Sequence, residues 1–241
     1  MKKVFLLICV AVMAAGVWAA DQPKQGFGLQ IGWAQPIFRL NSPDKSYPKD
    51  SLVNTLRLNG FKVGLLYDVS YIAGFGSTVG VNYTFGGGHT NWKKKDVSHS
   101  VRTQTFFNEV ELFVDWQYKF EIAKETYLML TTGPTLQCGL SLDVNRYESN
   151  DLTDEVEYNK YSAYKTDVKN EQLTRLNITW GVGAGFQYKK YFLRGGYDFG
   201  LINPYANKEF VDAIDQSIGR YTRGRLDQWS IRIGMYLWYN E

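Results

Sequence analysis

The sequence predicts an all-β chain folded as an eight-stranded antiparallel up-and-down transmembrane β-barrel. Three observations carry this. Apolar residues recur at every second position over eight stretches, the spacing that puts them on one face of a strand. The other face carries glycine, small polar and ionised residues, whereas a soluble barrel would put its charges outside and its apolar groups within. The connections alternate long and short along the whole chain, as in outer-membrane barrels.

The clearest stretch is the hairpin Thr174 to Leu201. In its first arm Leu176, Ile178, Trp180, Val182, Ala184, Phe186 and Tyr188 face one way. Arg175, Asn177, Thr179, Gly181, Gly183, Gly185 and Gln187 face the other. After Lys189-Lys190 the pattern resumes. Tyr191, Leu193, Tyr197, Phe199 and Leu201 oppose Arg194, Gly196, Asp198 and Gly200. Glycine weakens a solvated strand face, but in a narrow lumen it makes room for long neighbours such as Arg175, Gln187 and Arg194. The apolar face is therefore assigned to lipid.

The remaining strands follow in order. The first covers about Gly26 to Phe38, with Phe27, Leu29, Ile31 and Trp33 outward and Pro36 near its upper end. A polar loop, Asn41 to Thr55, leads to the second, Leu56 to Asp68, with Lys62 and Gly64 inward. The third, Ser77 to Phe85, precedes a long loop, Gly86 to Arg102. The fourth, Phe106 to Phe120, turns Glu109, Glu111, Asp115, Gln117 and Lys119 inward. The fifth, Tyr127 to Leu142, is read with Leu136, Cys138, Leu140 and Leu142 outward. Pro134 cannot donate to a ladder, so a bulge or bend is expected at Gly133-Pro134. Asp143 to Gln172 reads as the longest loop. Asn203 to Arg225 reads as the last, with Phe210, Ile214 and Ile218 spaced for a short amphipathic helix over the barrel mouth. In the eighth strand, Gln228 to Tyr239, Trp229 to Tyr239 alternate outward with Ser230, Arg232 and Gly234 inward; Tyr236 and Trp238 then also fall inward.

The ends and the composition place the chain. Met1-Lys2-Lys3, an apolar run from Val4 to Val12 and small residues to Ala20 form a secretory signal peptide, residues 1–20, cleaved after Ala19 or Ala20. Residues 21–241 are then one barrel domain in the outer membrane. Removing Lys2 and Lys3 from the 27 basic residues leaves 25 against 24 acidic, a net of about +1, which gives no support to nucleic-acid binding. Cys138 alone remains, so no intramolecular disulfide forms. Seventeen tyrosines suit the aromatic girdles that flank a barrel's lipid band.

At GVGAGFQYKKYFLRGGYDFGLIN the chain resembles the small outer-membrane barrels called PorT-like, of Bacteroidetes type. Their Tyr-x-x-Gly-Leu-x-Asn pattern falls here on Tyr197, Gly200, Leu201 and Asn203. TTGPTLQCGL, Thr131 to Leu140, resembles the family's Gly-Pro strand. The resemblance spans the mature chain and implies the barrel fold. It names no single activity, because the family is functionally mixed.

Inward charges number Lys62, Glu109, Glu111, Asp115, Lys119, Arg175, Arg194, Asp198 and Arg232. Eight strands leave a lumen just wide enough for side chains, so these are expected to pair as a plug rather than line a pore. Ser98-His99-Ser100 with Glu109 could be drawn as a hydrolytic triad, but no motif surrounds it and loop residues are the better reading. No catalytic residue, metal site or cofactor is assigned. Trp92, Lys93, Lys94 and Lys95, with Phe210 and Ile214, are candidate loop contacts for lipid headgroups, polysaccharide or an envelope protein. The expected function is a non-enzymatic, monomeric outer-membrane scaffold with external binding loops, inserted by the barrel-assembly machinery. A narrow pore or small-ligand transporter and a lipid-modifying hydrolase stand as alternatives.

Overall fold

The computed structural model describes residues 24–41, 55–72, 74–93, 99–150, 155–165, 173–204 and 223–239. Ten β segments make one antiparallel sheet. They are β1 (Lys24–Asn41), β2 (Thr55–Arg57), β3 (Asn59–Ile72), β4 (Phe75–Lys93), β5 (His99–Ala123), β6 (Thr126–Asn150), β7 (Glu155–Ser162), β8 (Leu176–Tyr188), β9 (Tyr191–Gly200) and β10 (Arg223–Tyr239). β2 and β3 are one strand interrupted at Leu58, whose N–H reaches the Pro36 carbonyl. β7 pairs only with β6. The other segments pair in chain order, and β1 pairs with β10 from Gly26–Tyr239 to Asn41–Arg223, closing an eight-stranded ring.

The orientation is the one the alternation predicts. Ile31, Leu112 and Ile233 are half exposed on the outer wall, while Lys62, Glu111 and Arg194 lie within the ring with about nothing exposed (2%, 1% and 2%). A greasy outer belt around a polar interior is a membrane barrel. Exposed aromatics gather at both margins of the belt, Tyr67, Phe75, Tyr118 and Trp238 at one end and Phe61, Tyr83, Phe85 and Trp229 at the other. Trp116 and Trp180 also stand on the outer wall, ring to ring at 5.6 Å. There Trp180 Nε1 donates to Thr132 Oγ1 (2.9 Å), and Thr132 donates to the Gly181 carbonyl (2.9 Å), so neither the indole N–H nor this hydroxyl is left bare in the belt. Inside, the glycines act as expected. A Cβ on Gly185 would press on the Arg194 side chain at 3.1 Å and on Met129 at 2.9 Å.

The connections at one end are two-residue turns, with Glu125 and Lys189 at positive φ (58° and 50°). At the other end the strands run further than the sequence pattern indicates. β4 continues through Gly86–Lys93, and β5 begins at His99, so most of the expected second loop is strand. β6 continues to Asn150 and β7 follows, so the expected longest loop is largely a hairpin. Apolar residues are sparse and irregularly spaced in these extensions, which removes the period-two contrast that marks the membrane part. The expected helix around Phe210 and Ile214 lies outside the described residues, as does the signal peptide.

Two bulges correct the expected faces. Between Asn108 and Glu109 of β5 the pairing passes from Ser141 to Gly139, leaving Leu140 as the extra residue on β6. Everything beyond it changes face, so Leu142, expected outward, is buried inside (2% exposed). Likewise Phe27–Gly28 pairs Trp238 and then Tyr236, with Leu237 extra. Trp238, expected inward, is therefore exposed, and Tyr239, expected outward, packs on the buried Tyr236 at 5.0 Å. No bulge occurs at Gly133-Pro134. The β5–β6 ladder omits the pairs at Val114 and Asp115 and resumes in the same register. Gly133 accommodates the missing N–H by letting the strands close up, for a Cβ there would land on the Val114 carbonyl oxygen. Gly133→Ala is accordingly expected to cost about 1–3 kcal/mol by overpacking, read as a smaller folded fraction in unheated gel electrophoresis.

Candidate functional site in the barrel interior

The interior is filled in layers, and the inward residues of β3 and β5 run through all of them. From the long-connection end β3 with β2 contributes Leu56, Leu58, Lys62, Leu66 and Asp68; β5 contributes Phe107, Glu109, Glu111, Phe113, Asp115, Gln117 and Lys119.

The first layer is apolar. Phe38, Leu56, Leu58, Phe107, Leu142, Val144, Ala163 and Leu226 form one buried cluster, with Tyr161, Tyr164 and Leu173 packed against it. Its members come from β1, β2 and β10 on one side and β5 and β6 on the other, so the cluster crosses the ring. The Leu140 bulge makes this layer possible by turning Leu142 and Val144 inward. Tyr164 lies over the Gly139 backbone, and burial holds its phenol well above the usual tyrosine range.

Below it sits a hydrogen-bonded polar layer. Lys62 Nζ donates to both oxygens of Glu111 at 2.8 and 2.7 Å. Asn82 Nδ2 (3.0 Å) and Gln228 Nε2 donate to the same carboxylate, and Gln30 Nε2 donates to Asn82 Oδ1 (2.6 Å). Glu109, Asp115, Asp198 and Arg232 share this region and enter no ion pair among the described residues. Asp198 lies against Gly181, and the Arg232 guanidinium lies over the Phe113 ring at 5.5 Å.

The third layer joins an apolar cluster, Leu66, Phe113, Met129, Phe192 and Tyr236, to a charged hub at the short-turn end. Asp68 is fully buried and accepts from Gln117 Nε2 (2.6 Å), Lys119 Nζ (3.1 Å), Arg194 (3.2 Å) and the Tyr236 hydroxyl. Arg194 also donates to Thr78 Oγ1 (3.3 Å) and to the Tyr236 oxygen (3.2 Å), with Phe192 under its plane at 5.0 Å.

Of the nine charges expected inside, Lys62, Glu111, Lys119 and Arg194 are paired there. Glu109, Asp115, Asp198 and Arg232 are inside without ion pairs. Arg175 is not inside. Its side chain is exposed and donates to the carbonyls of Gly139 (3.3 Å) and Leu140 (2.8 Å), capping the groups that the bulge frees. The hub itself, Asp68, was missed, although it shares parity with Lys62 and Gly64. A second carboxylate, Asp227, was also missed. It sits one residue outside the predicted eighth strand and on the outer parity, where it accepts from Tyr197 (2.7 Å) and from the Gly200 N–H (3.0 Å). Asn203 accepts from the Gly224 N–H at 3.1 Å. The Tyr-x-x-Gly-Leu-x-Asn pattern thus ties the end of β9 to β10.

Trp92 and Lys93 lie in β4 rather than in a loop, because β4 runs on through them; Lys94 and Lys95 lie outside the described residues. The drawn triad does not assemble. His99 pairs with Asn150 and Glu109 with Gly139 along the β5–β6 ladder, ten residues apart on β5, a separation of about 33 Å.

No protein-family model matches the chain, and no curated protein matches its sequence. Among solved structures it is similar to Ail, the attachment invasion locus protein of Yersinia pestis, at 10% identity and a TM-score of 0.40, over 90% of this chain and 99% of Ail. Neisserial surface protein A gives 12% identity and a TM-score of 0.39, over 89% and 99%. The N-terminal β-barrel domain of Pseudomonas aeruginosa OprF gives 10% identity and a TM-score of 0.29, over 89% and 100%.

Proposed function

We propose that this chain is a closed, non-enzymatic, monomeric outer-membrane scaffold of the PorT-like type, exported by its signal peptide and inserted by the barrel-assembly machinery. The observation that carries this reading is the layered interior. Two apolar clusters and the Asp68 hub each reach across the ring, which leaves the lumen to side chains rather than to solute. The working surface is then the long-connection end, which faces outward in barrels of this kind. β5 and β6 have 25 residues each against 10 in β9. A strand needs about 9–11 residues to cross the hydrocarbon, so β4 to β7 rise above the membrane as a sheet on one side. Its outer strand exposes Val156 (67%) and Tyr158 (51%), the latter ring against Tyr147 at 4.9 Å. That sheet, which carries Trp92 and Lys93 in β4, suits an envelope protein or polysaccharide; Lys94, Lys95, Phe210 and Ile214 remain candidates from the sequence alone.

The test is conductance in planar bilayers. The purified barrel is expected to insert without steady unitary currents. Stepwise, reproducible conductance at neutral pH would overturn the scaffold reading in favour of a pore.

A further inference from the structure

At the height of the lipid belt the outer wall is largely apolar, and at the long-connection end of β1, β2 and β10 it turns basic. There the register sets Arg39 opposite Arg225, and Arg57 opposite Ile37, which in turn faces Asp227. All three arginines are exposed and share the wall that carries Trp229 and Ile231 lower on β10. Two guanidiniums directly opposed across a ladder repel. Here one fully buried carboxylate holds both. Asp227 takes Arg39 Nε at 2.8 Å and Arg225 Nε and NH2 at 2.7 and 2.8 Å. Tyr197 and the Gly200 N–H complete its shell, and Arg39 NH2 reaches the Tyr197 oxygen at 3.3 Å.

This arrangement leaves a particular surplus. Each guanidinium spends its inner edge on Asp227 and keeps NH1 without a partner among the described residues, with 49% and 45% of the two side chains exposed. Arg57, one strand over, makes no hydrogen bond or ion pair among the described residues. Three cations against one anion leave the cluster at about +2 by formal charge at neutral pH. Directly below stand Tyr197 and Trp229, ring centroids 4.6 Å apart, and then the apolar belt.

We propose that this cluster binds the phosphate of an outer-leaflet lipid, whose acyl chains lie on the wall beneath. Planar guanidiniums held in place give paired N–H donors that fit phosphate oxygens, and their fixed geometry lowers the ordering cost of binding. A soluble anion would meet only the charges. A lipid phosphate meets the charges and, on the same face, the Trp229 ring and the Ile231 side chain. The proposal rests on the reading that this end of the barrel faces outward.

The full barrel in detergent is mixed with micelles of a bisphosphorylated diglucosamine lipid or of the same lipid dephosphorylated. Retained lipid is then read by native mass spectrometry. The phosphorylated form is expected to bind about tenfold more tightly, the contribution of one charge-assisted hydrogen bond. Arg39→Gln with Arg225→Gln should abolish the preference, but it strips Asp227 of its partners and can unfold the wall. Arg57→Gln touches none of those bonds and should lower the preference severalfold at unchanged unfolding midpoint. Equal binding of the two lipids overturns the site, as does competition by millimolar inorganic phosphate. Orientation is read separately. Lys160→Cys in a Cys138→Ser background should react with a membrane-impermeant maleimide on intact cells. Absence of labelling overturns the outward reading itself, whereas labelling without a phosphate preference overturns only the lipid site.

Discussion

Replacing Asp68 by alanine is expected to destabilise the barrel by about 3–5 kcal/mol, the range for breaking a buried pair from one side. The reason lies in what stays behind. Lys119 and Arg194 are 4% and 2% exposed and both point their nitrogens at this carboxylate. Without it Lys119 and Arg194 both lose the carboxylate that their nitrogens meet here, and Gln117 and Tyr236 lose an acceptor. Asp68→Asn should fall between, because the amide keeps one acceptor oxygen, for Gln117 or for Tyr236, while removing the negative charge that faces Lys119 and Arg194. Chemical unfolding in lipid vesicles, followed by tryptophan fluorescence, measures the difference. A shift of a few tenths of a kcal/mol for the alanine variant would mean that the hub is hydrated and contributes little.

Ile233→Arg should cost about 2–4 kcal/mol, the figure for arginine at the bilayer midplane on a lipid-facing wall. Ile233 is 56% exposed and pairs with Ile31 on β1 and Leu193 on β9, themselves half exposed. It stands midway between Trp229 and Trp238, the aromatics that mark the two margins on β10. An exposed position on a water-soluble protein tolerates such a change within about 0.5 kcal/mol. The same unfolding experiment therefore decides what surrounds the wall. A neutral Ile233→Arg would contradict a lipid-facing surface.

The face that meets lipid was legible because a strand's side chains alternate strictly, and Leu176 to Tyr188 or Val110 to Phe120 leave no second reading. Register was less legible. Leu142, Trp238 and Tyr239 were each assigned to the wrong side because one extra residue, Leu140 or Leu237, inverts all that follows. Nothing in composition marks either of them. Strand ends failed for another reason. Gly86 to Lys93 and Asp143 to Asn150 are strands with few apolar residues at irregular spacing, so the apolar period vanishes while the backbone pairing continues. Pro134 was expected to bulge or bend its strand; it does interrupt two ladder pairs, but Gly133 beside it lets the neighbouring strand approach and keeps the register. Asp68 was available from parity alone. Asp227 was not, because a buried carboxylate on the outer parity makes sense only beside Arg39 and Arg225, and that proximity is long-range.

The unequal strand heights give the molecule a bearing. Around the ring β5 and β6 stand diametrically across from β10 and β1. The tall sheet and the arginine-bearing seam thus occupy opposite azimuths. Viewed down the membrane normal, the barrel has a front and a back. A large ligand leaning on the tall side would shade one half of the rim and leave the seam clear, so two neighbours could be engaged at once without competing for space.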